Sequence, residues 1–319
     1  MRHLMLVTGF VAMVASLPVV AVQPAVRVVR DIPYASAGDR ALALDLHMPE
    51  GVSNPPLVVW IHGGAWRQGS RASVRPEFAQ HGFATASVDY RLSTEARFPA
   101  MVHDIKAAIR FLRARAGDYG YRADRIAIAG DSAGAHLAAL VGVTNGVADL
   151  EGALGDHRDR SSAVQAIVAY YPATNLATIL DQSTPFGLGV RVPALQLLLG
   201  DLPGRAPDLA RLASPVSHVD AGDPPLLIFH GDRDPQMPIA QSHELEDRYE
   251  AVGLEGTLVV VHDAVHGGEA FYSGAHLARA IAFLQRTIGD PSPQPGAPSV
   301  GARDEAGAAR LERRAALLQ

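Results

Sequence analysis

The chain has 319 residues, 48% of them hydrophobic and 19% charged, which makes it long and apolar enough to bury a full core. Its net charge of −5 argues against a nucleic-acid or anionic-membrane partner, which calls for clustered positive charge. It contains no cysteine, so disulfides, thiolate catalysis, cysteine metal ligands and a lipidated N-terminal cysteine are excluded.

Residues 1–24 read as a segment apart from the fold. Arg2 and His3 precede an apolar run from Leu4 to Val14, and Val19 and Ala21 stand at signal-peptidase spacing. The run is interrupted by Thr8, Gly9, Ser16 and Pro18 and is short for a membrane span. The expectation is an export signal cleaved near Ala21, a periplasmic or extracellular protein, and no stable membrane insertion.

From about Val26 to Ile288 apolar strands alternate with amphipathic helices, the pattern of an α/β domain with a mostly parallel sheet. The strand candidates are Pro56–Ile61, Phe83–Tyr90, Arg125–Gly130, Val164–Tyr171, Pro225–Gly231 and Thr257–His262. Their near-continuous apolar character suits strands covered on both faces. Between Phe98 and Gly120, Met101, Ile105, Ala108, Ile109 and Leu112 recur at helical spacing. The single lysine, Lys106, falls in this helix, where a solvated surface position is expected. The Leu-, Pro- and Gly-rich stretch from about Thr174 to Ser214 breaks the alternation and reads as a short cap insertion. The folded domain is thus placed at 25–288, and residues 289–319, rich in Pro, Gly and Ala, read as a disordered tail.

The chemistry concentrates in three loops. Gly130-Asp131-Ser132-Ala133-Gly134 follows an apolar strand and opens an alanine-rich helix, the setting a G-x-S-x-G nucleophile elbow requires. Small residues at Gly130 and Gly134 let the turn close. Ser132 would stand above the sheet with a helix N-terminus behind it, although a serine here also suits a simple helix cap. A serine hydroxyl needs a base, and the base an orienting carboxylate. Asp232 and Asp234 follow the next-to-last strand, and His262 and His266 follow the last, in the chain order Ser, Asp, His.

Taken together these motifs resemble the α/β-hydrolase esterases, and within them bacterial feruloyl and acetylxylan esterases close to the hormone-sensitive-lipase group. The resemblance runs from about Leu44 to Leu284 and rests on His62-Gly63-Gly64-Ala65-Trp66, the elbow, Gly231-Asp232-Arg233-Asp234 with Met237-Pro238, and His266-Gly267. It implies Asp234 as the acid, four residues before the proline of a D-x-x-[VM]-P pattern, and His266 as the base. It also implies an oxyanion hole formed by the N–H groups of Gly64 and Ala65, with Gly63 shaping the bend. The N–H of Ala133, the residue after the nucleophile, completes it. Asp232 is expected to bond the turn backbone, His262 to be packed or solvated, and Asp131 to serve as an internal hydrogen-bonding partner. His62 reads as structural, and Trp66 as either a pocket wall or a loop anchor.

No H-E-x-x-H motif is present, so neither a metal nor another cofactor is expected. The expected partner is a small-molecule ester, cleaved through an acyl-enzyme. Aryl formamidases share the HGG-x-W loop and the G-x-S-A-G-A-H-L elbow, so amide hydrolysis stands as the alternative. A non-catalytic hydrolase-like binding protein is a third reading, and a peptidase a fourth with less support.

Overall fold

The computed structural model describes residues 24–289. The readings of a leader over 1–24 with cleavage near Ala21 and of a tail over 289–319 fall outside them, Pro24 and Gly289 apart. Eight strands form one sheet: β1 (Val26–Ala37), β2 (Arg40–Pro49), β3 (Leu57–Ile61), β4 (Ala84–Val88), β5 (Ile126–Asp131), β6 (Ala166–Tyr170), β7 (Leu226–Gly231) and β8 (Gly256–Val261). Their order is β1-β2-β4-β3-β5-β6-β7-β8. β1 and β2 are antiparallel, as are β2 and β4, and every later pairing is parallel. This is the α/β-hydrolase arrangement. β1 and β2 are additional to the six strands anticipated from apolar runs. β1 lies at the sheet edge, mixes exposed and half-buried positions with only Ile32 and Tyr34 buried, and bulges around Asp31, where φ is 57°.

Among the described residues nine α-helices accompany the sheet: α1 (Glu77–Gln80), α2 (Ala100–Tyr119), α3 (Ala133–Gly142), α4 (Ala148–Glu151), α5 (Ile179–Gln182), α6 (Pro185–Leu199), α7 (Pro207–Leu212), α8 (Ala240–Ala251) and α9 (Gly274–Thr287). Successive residues of β3 feed opposite faces of the sheet, as the two-residue strand period demands. Leu57, Val59 and Ile61 join the cluster formed with α2 and α3. Val58 and Trp60 join the one formed with α9 through Ala280, Ile281, Phe283 and Leu284. Each large side chain fully buried in this way contributes about 2–3 kcal/mol of hydrophobic stabilisation. α5, α6 and α7 occupy the region read as a cap, between β6 and β7. No helix among the described residues is long and apolar enough to cross a membrane.

Lys106 corrects the expectation of a solvated lysine. It is fully buried where α2 meets α4, and its ammonium donates to the Thr144 carbonyl and to Glu151 Oε1 at 2.7 Å. Burial pushes its pKa down, while Glu151 opposes that shift. The helical spacing places Lys106 on a face that α4 covers, and the period alone does not reveal a second helix layered there.

Parallel pairing aligns the carboxyl ends of the central strands. Ile61 stands opposite Gly130, Asp131 opposite Tyr170, and Gly231 opposite Val261. The loops after β3, β5, β7 and β8 therefore emerge along one edge of the sheet, where open α/β sheets bind their ligands.

Candidate active site

The turn after β5 is strained. Ser132 has φ 51° and ψ −117°, its N–H donates to the Tyr170 carbonyl at 2.9 Å, and its side chain makes no helix-cap bond. Such geometry costs on the order of 1–3 kcal/mol and persists only where its surroundings enforce it. The enforcement comes from close packing on β3: a Cβ on Gly134 would lie 2.1 Å from the Ile61 carbonyl oxygen, and one on Gly130 2.7 Å from the same atom. The two glycines of the motif allow the elbow to lie against the neighbouring strand.

The β7 and β8 loops bring the other two groups to Ser132. The Ser132 hydroxyl donates to His266 Nε2 at 2.9 Å, and His266 Nδ1–H donates to Asp234 Oδ2 at 2.6 Å. Asp234 Oδ1 accepts from the N–H groups of Gln236 and Met237, each at 2.8 Å. Burial alone would raise the Asp234 carboxyl, but hydrogen bonds from His230, His266 and the Met237 backbone hold it well below the usual carboxylate range. Tyr171 packs against the His266 ring at 4.7 Å between centroids and is fixed in turn by a 2.6 Å hydroxyl contact with Tyr272.

The alternative acid and base form a separate pair outside this constellation. Asp232 accepts from His262 Nδ1 at 2.9 Å and from the Asp263 N–H at 2.8 Å, and the His262 side chain is 83% exposed.

The loop after β3 is held from both sides. Gly63 N–H donates to Asp131 Oδ1 at 2.7 Å, so Gly63 shapes the bend and has no N–H left for a ligand. The N–H groups of Gly64, Ala65 and Ala133 have no hydrogen-bond partner among the described residues. Gly64 adopts φ 115°, and a Cβ there would strike the Gln68 carbonyl oxygen at 2.1 Å. Ala65 and Trp66 follow with φ of 52° and 60°. His62 donates from Nδ1 to the Gly63 carbonyl at 2.8 Å and stacks on Tyr90, whose hydroxyl donates to the His62 carbonyl. Burial pushes the His62 imidazole below its ordinary pKa.

Trp66 is a loop anchor. It is fully buried, and its Nε1–H donates 3.0 Å to His136 Nδ1 on α3, while His136 Nε2–H donates 2.7 Å to the Ala213 carbonyl beyond α7.

Sequence reasoning overlooked His136 and His230. His230, at the end of β7, donates from Nε2 to the Met237 carbonyl at 3.0 Å, accepts from Ser242 at Nδ1, and lies 3.5 Å from Asp234 Oδ2. The only available signal was its position four residues before the acid.

A cavity of about 490 Å³ opens over Ser132 and His266, walled by Gly64 and Ala65 on one side and by Gln236 and Val190 of α6 on the other. A nucleophile, a base and free backbone donors converge on it, which is the equipment for acyl transfer. Among the described residues no group of three or more His, Asp or Glu is placed to hold a metal ion.

The BD-FAE family matches residues 44–249 of the chain. Esterase LipC of Mycobacterium tuberculosis is 34% identical over 201 residues, 62% of this chain and 49% of that protein. Isoprenylcysteine alpha-carbonyl methylesterase ICME of Arabidopsis thaliana is 30% identical over 233 residues, 70% and 53% of the two chains. The chain thus spans about half the length of these curated relatives. A truncated carbohydrate esterase from gut microbiota superposes with a TM-score of 0.74 at 29% identity, covering 84% of this chain and 98% of that one. Thermogutta terrifontis esterase 2 phosphonylated by sarin gives 0.68 at 27%, covering 85% and 97%.

Proposed function

Because the chain belongs to the BD-FAE family, we propose that it is a serine hydrolase that cleaves small-acyl carboxylic esters through an acyl-enzyme. The observation that carries this reading is the hydrogen-bonded series from Ser132 Oγ through His266 to Asp234, at 2.9 and 2.6 Å. Ser132 attacks the ester carbonyl while His266 Nε2 takes its proton, and Asp234 stabilises the imidazolium. The resulting oxyanion is met by the N–H groups of Gly64, Ala65 and Ala133, each worth about 3 kcal/mol in comparable sites. The intermediate collapses, the alcohol leaves with the proton from His266, and Ser132 carries the acyl group. Water then attacks with His266 again as base, releasing the carboxylic acid and restoring the serine.

The names of the relatives support ester chemistry, and the intact series of three side chains supports catalysis over a binding-only role. The leader read over residues 1–24 supports export to the periplasm or beyond.

The decisive test uses a fluorophosphonate probe with 4-nitrophenyl acetate. Wild type is expected to be labelled and to hydrolyse the ester, and Ser132→Ala to do neither. Labelling of Ser132→Ala at full strength would overturn the assignment, and turnover of N-formyl amides far above every ester would transfer it to amide hydrolysis.

A further inference from the structure

Three arginines follow one another at four-residue intervals in the segment after β3. The middle one, Arg71, is committed to structure: it donates to Asp45 at 2.9 Å and also to Asp89, fastening the segment to β2 and the end of β4. The outer two, Arg67 and Arg75, line the cavity that contains Ser132 and His266. Among the described residues neither guanidinium has a carboxylate partner or a side-chain hydrogen bond. Arg75 is nevertheless fixed in place, with its guanidinium carbon 3.5 Å from the centroid of the Tyr272 ring, and Tyr272 is tied through Tyr171 to the face of His266.

An arginine with all its donors free, stacked on an aromatic ring beside a nucleophile, lacks an anion. The cavity's own carboxylate forms no ion pair with it. Asp131 is its sole acidic lining residue, its Oδ1 is taken by the Gly63 N–H, and burial pushes its carboxyl up while the Gly63 hydrogen bond and the nearby Arg75 charge oppose that shift. A positive cavity in a chain of net charge −5 is a local arrangement that bulk composition does not produce.

Resting on the esterase reading above, we propose that the substrates are esters bearing a free carboxylate, bound by Arg75 together with Arg67. Planar guanidinium groups pair with carboxylates through two parallel N–H···O bonds, and such charge-assisted bonds are about twice as strong as neutral ones.

Two matched pairs of probes test this. With 4-acetoxybenzoate against 4-acetoxybenzamide the charge lies on the alcohol side, and with the mono-4-nitrophenyl ester of adipic acid against its monoamide it lies on the acyl side. On at least one side kcat/KM is expected to favour the anion by about tenfold at low ionic strength, chiefly through KM, and the preference to shrink with added salt. In Arg75→Gln the ratio of anion to amide should fall towards one. Calorimetric titration of Ser132→Ala with the same pairs, with and without Arg75→Gln, reads the preference without turnover.

Equal use of anion and amide on both sides overturns the proposal. So does an Arg75→Gln variant in which both members fall by the same factor, because Arg75 would then act as a counter-charge to Asp131. Ester hydrolysis without charge preference removes only the anion site. Preferential anion binding without hydrolysis of any ester removes only the esterase reading.

Discussion

Asp232 and Asp234 stand two residues apart, are chemically identical, and sit in unlike surroundings. The Asp234 carboxylate is buried, receives two backbone N–H bonds on one oxygen and His266 on the other, and is held ionised. Asp232 meets an exposed histidine at the surface. The difference is legible in the sequence only through the proline pattern after Asp234, because the burial of a carboxylate depends on the loops that fold over it. Asp234→Asn keeps a carbonyl oxygen for the backbone donors but offers His266 the wrong partner, favouring the unproductive tautomer. We expect kcat to fall by about three to four orders of magnitude, with little change in melting temperature. Asp232→Asn, by contrast, should stay within about threefold of wild type, since solvent screens an exposed ion pair and leaves it little to contribute. Steady-state kinetics on 4-nitrophenyl acetate decide between the two, and a reversal of the two effects would move the acid to Asp232.

At the scale of elements, His136 on α3 joins the loop after β3 to the chain after α7. Its Nδ1 must stay unprotonated to accept from Trp66, which has no acceptor to offer in return, and burial pushes its pKa down to about 4 from the ordinary 6.5. The unfolded chain therefore binds a proton at this residue below about pH 6.5 that the folded chain refuses until about pH 4. Stability is accordingly full above that window and is lost as pH falls through it, by about 3 kcal/mol from this residue. Asp223, whose carboxyl is raised to about 6 by burial, works in the opposite direction, so the measurement must compare variants. Urea unfolding at pH 7 and pH 4.5 should show a steep loss for wild type and a shallower one for His136→Gln, and identical slopes would rule this coupling out. Trp66→Phe should lower stability by about 1–3 kcal/mol at neutral pH by leaving Nδ1 without its donor. The motif HGGAW announces a bent loop, but only the folded chain shows that its tryptophan points inward to a histidine 70 residues away.

Across the whole molecule, the central strands and the three loops that carry Ser132, Asp234 and His266 were readable because buried parallel strands are continuous apolar runs and each loop begins where such a run ends. The antiparallel β1 escaped because an edge strand mixes exposed and buried positions, β2 because buried Asp45 and His47 interrupt its apolar run, and Lys106 misled because a buried charge is rescued by a partner 45 residues distant. Substrate size follows from the same architecture. The cavity over Ser132 and His266, about 490 Å³ and open to solvent, is walled by Arg67, Gln68, Arg75 and Gln236 as well as by backbone, with Val190 as its contribution from α6. A long alkyl chain would desolvate those polar groups without replacing their hydrogen bonds, whereas an acetyl to butyryl group leaves them wet. Along a series of neutral 4-nitrophenyl esters, kcat/KM should therefore be highest from acetyl to butyryl and fall at least about tenfold by decanoyl, the scale of a 1–3 kcal/mol loss in a poorly matched pocket. An optimum at ten carbons or longer would require α6 to move aside and uncover an apolar channel, and Val190→Trp would then abolish the long-chain activity first.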